Sequence, residues 1–96
     1  MKTYTFFSDN GHGWTRVPLS DVIACGIASE ISGYSYISKG RRYLYLEEDS
    51  DTAKFFKASG LVKNGICDNA KVTIKYKNVN GWSRIRDLPR FNSENI

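Results

Sequence analysis

The sequence predicts an α+β domain: a mostly antiparallel sheet in the order β-β-α-β-β-α-β-β, with two short helices packed on one face. Three observations lead there. Apolar and polar residues alternate in short runs over 2–7, 14–17, 35–46 and 71–87, the period of half-buried strands. Clusters of Gly, Asn and Asp divide these runs into pairs, as hairpins require. Two other segments, opening near Ser20 and Asp49, join a capping residue to apolar positions and then to a Gly, the outline of a short helix. No segment demands a crossover to a parallel strand.

In chain order, Lys2 to Phe7 alternates with Tyr4 and Phe6 on one side and Phe7 on the other. Ser8-Asp9-Asn10-Gly11-His12-Gly13 is a turn cluster, and Trp14 to Val17 returns as the second strand of a hairpin. Pro18 stops it. Ser20 then caps a helix of about two turns, which Gly26 ends; a helix this short depends on packing rather than propensity. Residues 35–46 form a second hairpin turning at Lys39-Gly40. The simplest register sets Tyr36 against Tyr43 and Tyr34 against Tyr45, so four tyrosines line one face and Ile37, Leu44 and Leu46 the other. A longer loop breaks this register. A second helix over 49–59 is capped by Asp49, Ser50 or Asp51 and ended by Gly60, with Ala53 and Phe56 able to share a buried face.

The last hairpin, 71–87, carries the strongest local signal. Asn80-Gly81 suits the two positive-φ positions of a tight type I′ turn. Val79 then faces Trp82, Lys77 faces Arg84, and Lys75 faces Arg86. Ile74, Tyr76 and Ile85 share one face; Lys75, Lys77, Trp82, Arg84 and Arg86 share the other. Like charges placed directly opposite destabilise a sheet, so such a face suits an anionic partner. It equally suits a solvated edge, where lysines deter edge-to-edge aggregation. Residues 1–91 read as a single domain and 92–96 as a loose C-terminal tail.

Composition narrows the function classes. The 96 residues carry 41% hydrophobic and 25% charged side chains, ordinary values for one globular domain with a modest core. A net charge of +4 permits nucleic-acid binding and argues against a DNA mimic. No apolar run is long enough for a bilayer and no signal peptide is evident, so a cytoplasmic protein is expected. Cys25 and Cys67, in separate apolar segments, read as reduced core thiols; neither has the closely spaced His or carboxylate partners of a metal site. No metal or other cofactor is expected.

Catalytic signals are sparse. His12 is the single histidine, held in a Gly-His-Gly loop. A general base needs a nucleophile and an orienting group, and Ser8 and Asp9 show no familiar spacing for those roles. The alternative is a turn residue between two permissive glycines. Residues 10–13 follow a strand, as phosphate loops do, but lead to another strand and lack the Lys-Ser/Thr ending. Glu47-Glu48-Asp49-Ser50-Asp51 lacks the alternating ligands and central Gly of a calcium loop and reads as helix capping. Tyr34, Tyr36, Tyr43 and Tyr45 can stack bases, with Arg41 and Arg42 contacting phosphates, or can simply cover a core.

Between residues 4 and 56 an ordered set of short motifs stands out: Phe6-Phe7-Ser8, Gly11-His12-Gly13-Trp14, Val17, Gly26-Ile27, residues 31–36 (Ile-Ser-Gly-Tyr-Ser-Tyr), Tyr45-Leu46-Glu47-Glu48-Asp49, Asp51 and Phe56. In these it resembles an uncharacterised family of small bacteriophage and mobile-element proteins. The resemblance covers just over half the chain and omits the basic hairpin. It implies a phage or plasmid accessory protein acting in a bacterial cytoplasm, and no particular activity. The resulting expectation is a non-enzymatic protein that binds and inhibits a host macromolecule, with a defence complex of the CRISPR or restriction type as one candidate. The alternatives are direct nucleic-acid binding through the basic hairpin and an enzyme centred on His12.

Overall fold

The computed structural model describes residues 2–63, 66–79, 81 and 83–95. Its main sheet has five strands in the order β3-β4-β2-β1-β7. These are β1 (Lys2–Ser8), β2 (Gly13–Pro18), β3 (Tyr36–Ile37), β4 (Tyr43–Glu47) and β7 (Val72–Asn78). A small separate ribbon joins β5 (Val62–Lys63) to β6 (Ile66–Cys67). The helices are α1 (Leu19–Ala24) and α2 (Asp51–Ser59). The α+β class and the predominance of antiparallel pairing are as the alternation predicts.

One face of the sheet holds the core. Tyr4, Val17, Ile37, Leu44, Leu46 and Val72 pack there against Val22 of α1 and Phe55 and Phe56 of α2. Tyr4 meets both phenylalanine rings edge-on at 5.6 and 6.2 Å, the separation at which aromatic pairs attract. Its hydroxyl donates to Asp21 Oδ2 at 2.7 Å, and burial together with that bond pushes the phenol pKa up. Thr15, also inward, pairs its hydroxyl with that of Thr52, which donates onward to the Leu46 carbonyl.

Both helices occur where the sequence predicts, with different capping. Pro18, not Ser20, precedes the first turn of α1, consistent with a fixed proline φ at a helix entry. Gly26 ends that helix at φ 78° and Gly60 ends α2 at φ 73°, a region that only glycine enters at little cost. The N-terminus of α2 is capped by none of Asp49, Ser50 or Asp51. Glu47, at the end of β4, accepts the backbone N–H groups of Asp49, Ser50 and Asp51 at 2.6 to 2.9 Å. Its longer side chain reaches all three amides, and a carboxylate there complements the helix dipole. Asp51 is thereby released to the interior, where one oxygen accepts from the Ser32 amide, the Ser32 hydroxyl and the Ser35 hydroxyl. The buried face of α2 consequently runs through Asp51, Phe55 and Phe56, while Ala53 is exposed.

The tyrosine hairpin keeps its facing but changes register. Tyr36 pairs with Tyr45 and Ile37 with Leu44, two places from the expected pairing. The turn spans four residues rather than two. Arg41 donates to the Ser38 carbonyl, and the positive φ (58°) falls on Arg41 instead of Gly40. Ser38 Oγ accepts the Arg42 and Tyr43 amides and so closes the wider turn. Because the shift is even, Tyr36, Tyr43 and Tyr45 still share a face and Ile37, Leu44 and Leu46 still point inward. Tyr34 lies before the strand, 72% exposed.

The 71–87 hairpin does not form. β7 pairs in parallel with β1, from Lys2 opposite Val72 to Ser8 opposite Asn78. Residues Arg84–Asp87 make a 3₁₀ turn instead of a return strand, so Lys75 and Lys77 do not face Arg86 and Arg84. The expected turn residue Asn80 and its neighbour Trp82 lie outside the described residues; Gly81 does take the positive φ, 80°. The cause is tertiary. Val79 donates to the Ser8 carbonyl, Asn10 to the Gly81 carbonyl, and Ser83 to the Asp9 carboxylate. These bonds continue the β1 pairing past Asn78 and draw the chain over the glycine loop. Near the C-terminus, residues 89–91 cover the edge of β3, with Ile37 donating to the Pro89 carbonyl and Phe91 to that of Ser35. Ser93–Asn95, predicted loose, forms a short 3₁₀ turn. Among the described residues no helix is long and apolar enough to cross a membrane.

Candidate binding site

With the helices on one face, the opposite face of the sheet is uncovered except at its Trp14 end, where Arg86 lies over the indole, and strand register dictates what it presents. One row across it reads Glu47, Trp14, Phe7, Lys77. The next reads Tyr36, Tyr45, Arg16, Thr5, Lys75. Tyr43 of β4 and Thr73 of β7 follow on the same side. Lys75, Lys77, Thr73 and Tyr43 are exposed, and Phe7, Arg16 and Tyr45 are half-buried. The Arg16 guanidinium lies 5.3 Å from the Phe7 ring centroid and 5.4 Å from that of Tyr43. Lys77 Nζ approaches Phe7 from the other side at 5.9 Å, and Phe7 and Tyr45 are 6.0 Å apart. The one carboxylate in these rows, Glu47, is occupied at the α2 N-terminus. The uncovered face is therefore a mixed aromatic and cationic surface.

At the Trp14 end the face runs into a groove of about 620 Å³. Its walls are the His12-Gly13 loop, the 32–36 loop, the turn from β4 to α2, and Arg86 and Arg90. Gly13 lets the Phe6 ring approach the backbone closely there: a Cβ would overlap that ring and sit 3.0 Å from Glu48 Oε2, so the ring would have to shift. Trp14 is almost wholly enclosed, with His12 and Tyr36 edge-on at 6.2 Å and the Arg86 guanidinium 5.2 Å above its ring.

Arg86 is held by the best-satisfied ion pair among the described residues. Its Nε and Nη2 donate to the two oxygens of Asp9 at 2.8 and 2.9 Å, and the Asp9 carboxylate is fully enclosed. Asp9 also accepts the amides of Gly11, His12 and Ser83. The Arg86 bond is the largest cause holding its pKa well below the ordinary carboxylate value, and the three amides add to it; together they outweigh burial, which acts the other way. The same bond raises the Arg86 pKa. The pair ties the 83–87 segment to the glycine loop and so builds one wall of the groove.

The predicted site residues are thereby divided. Lys75 and Lys77 share one side of β7, and Tyr36 and Tyr43 one side of their hairpin, as the alternation predicts; that both pairs meet on the uncovered face comes from the strand order. Arg86 and Trp14 meet in the groove wall, and Arg84 is exposed on the 3₁₀ turn. Arg41 and Arg42 lie in the β3–β4 turn, at the end of the sheet away from the groove and beside Tyr43. Trp82 lies outside the described residues. His12 borders the groove, its Nδ1 3.9 Å from Glu48 Oε1. Of the four tyrosines read as a stacking set, Tyr36, Tyr43 and Tyr45 lie on the face and Tyr34 lies in the groove. Sequence reasoning misses Phe7 and Arg16 on the face, and Asp49 and Arg90 in the groove. The facing of Phe7 and Arg16 is accessible from the 2–17 hairpin. The convergence of 86–90 on the groove has no local signature.

Several residues of the sequence motifs share one structural task. Ser32, Ser35, Glu47 and Asp51 form a continuous network, in which Ser35 Oγ donates to Asp51 and accepts from the Glu47 amide. It locks the 32–36 loop onto the start of α2 and shapes the groove. Among the described residues, no group of three His, Cys, Asp or Glu side chains is placed to hold a metal ion. No protein-family model, curated protein or solved structure matches the chain.

Proposed function

We propose that this chain is a non-enzymatic binding protein whose uncovered sheet face holds a single nucleic-acid strand. The observation that carries the proposal is the interleaving of Arg16, Lys75 and Lys77 with Phe7, Tyr43 and Tyr45 on one face that carries no uncommitted carboxylate. Single strands are bound by this combination: bases stack on rings while cations track the phosphates. Arg16 and Lys77 rest on Phe7 in the free protein. An exposed cation–π contact is worth about 0.5–1 kcal/mol, and a base stacked on an aromatic ring about 1–3 kcal/mol. Exchange of the cations from ring to phosphate is therefore favourable.

Catalysis at His12 is the weaker reading. Its nearby candidates are committed elsewhere: Asp9 to Arg86, and the Ser8 hydroxyl to Asn78 Oδ1 at 3.4 Å. The motif resemblance supports the wider setting we propose, an accessory protein of a phage or mobile element in a bacterial cytoplasm. There, covering a strand is a direct way to inhibit a host complex that handles nucleic acid. The test is fluorescence anisotropy with a labelled 12-nucleotide oligothymidine. Three phosphate contacts imply a log–log salt slope of about −2, so affinity falls roughly 20-fold between 50 and 200 mM salt. Lys75→Glu with Lys77→Glu should weaken binding more than tenfold at 50 mM. Absence of binding at 50 mM salt, or indifference to the double substitution, rejects the proposal.

A further inference from the structure

We infer that the groove at the Trp14 end receives one guanine-bearing nucleotide of the bound strand. The inference rests on the strand-binding reading above and adds a base preference to it. The groove opens onto the uncovered face, since Trp14 and Tyr36 belong to both. Its volume, about 620 Å³, lies within the range of small-molecule sites and is ample for a nucleotide.

Its chemistry is of three kinds. The Tyr34 ring is 72% exposed at the rim and available for stacking. Arg90 lines the groove and donates from Nη1 to the Gly33 carbonyl at 3.3 Å, leaving further guanidinium donors for a phosphate. Asp49 supplies a carboxylate. Its backbone amide is bonded to Glu47, whereas its side chain is exposed and has no protein hydrogen bond among the described residues.

A carboxylate accepts and cannot donate. Guanine alone offers it two adjacent donors, N1–H and the N2 amine. Adenine and cytosine place an acceptor beside their amine, and thymine flanks its single N–H with carbonyls. Arg90 disfavours a cationic protein side chain in the same place, Arg86 being already neutralised by Asp9. A nucleotide answers both charges: its phosphate meets the Arg90 guanidinium and its base edge the Asp49 carboxylate.

The experiment compares three 12-nucleotide strands at 50 mM salt: oligothymidine, the same strand with one central guanine, and one with a central adenine. Affinity for the guanine strand should exceed the other two by about tenfold, the discrimination of one good bidentate base contact. Asp49→Ala should erase that preference while oligothymidine binding stays within twofold of wild type. Equal affinity for all three strands, still salt-dependent, overturns this inference and leaves the strand-binding reading standing. A guanine preference that survives Asp49→Ala overturns the assignment of the carboxylate. Failure to bind any strand removes both.

Discussion

Replacing Asp9 by alanine removes the contact that closes the fold over its glycine loop, and the structure gives the size of the effect. The substitution deletes two charge-assisted hydrogen bonds to Arg86, at 2.8 and 2.9 Å, and the acceptor for three backbone amides. It leaves a guanidinium, 27% exposed, without its carboxylate. Removing one partner of a buried pair costs about 3–5 kcal/mol. The partial exposure of Arg86 puts the value at the lower end, about 3 kcal/mol. For a chain of this size that lowers Tm by about 12–24 °C. Thermal unfolding followed by circular dichroism measures it, and a cycle with Arg86→Ala should give a coupling of about 2 kcal/mol. The pH dependence has a definite sign. The Asp9 pKa is lower folded than the unfolded value of about 3.8, so its stabilisation is full above that value. It is lost as pH falls from there toward the folded pKa. Wild type should therefore lose Tm steeply below about pH 4, and Asp9→Ala should lose less. A Tm within 4 °C of wild type, or a coupling below 0.5 kcal/mol, refutes the reasoning.

Three further outcomes are expected. Glu47→Ala strips the three-amide cap from α2 and should cost about 1–2 kcal/mol in urea denaturation, whereas Glu48→Ala should cost under 0.5 kcal/mol. Gly13→Ala drives a methyl group into the Phe6 ring and should destabilise by about 1–3 kcal/mol, read as a lower urea midpoint with unchanged slope. Lys75→Glu with Lys77→Glu alters only exposed side chains, so Tm should stay within about 4 °C of wild type while strand affinity falls.

Period-two alternation carried most of the fold. It placed β1, β2, β4 and β7 and sorted Leu44 and Leu46 from Tyr43 and Tyr45, because burial on one side of a sheet leaves that pattern whatever the register. Gly26 and Gly60 marked helix ends, since positive φ is a local requirement that glycine meets. The last hairpin failed for the opposite reason. An Asn-Gly turn is a preference of a few residues, and here the outcome rests with bonds from Ser8, Asn10 and Asp9, some seventy residues earlier. The Asp9–Arg86 pair likewise joins positions 77 apart, with nothing local to either to announce it. The acidic block read correctly as capping, but the task fell to Glu47 on the preceding strand. The uncovered face is half legible. The alternation puts Lys75 and Lys77 on a basic surface, whereas Phe7 and Arg16 join them only because β7 lies beside β1.

The central claim is that the uncovered face, and not the helices, meets a nucleic-acid strand. Amide chemical-shift mapping on ¹⁵N-labelled protein titrated with 12-nucleotide oligothymidine tests it directly. The account predicts the largest shifts at Phe7, Arg16, Tyr45, Lys75 and Lys77, with the amides of Val22, Phe55 and Phe56 unmoved. Shifts concentrated on α1 and α2, or none at 50 mM salt, would contradict it.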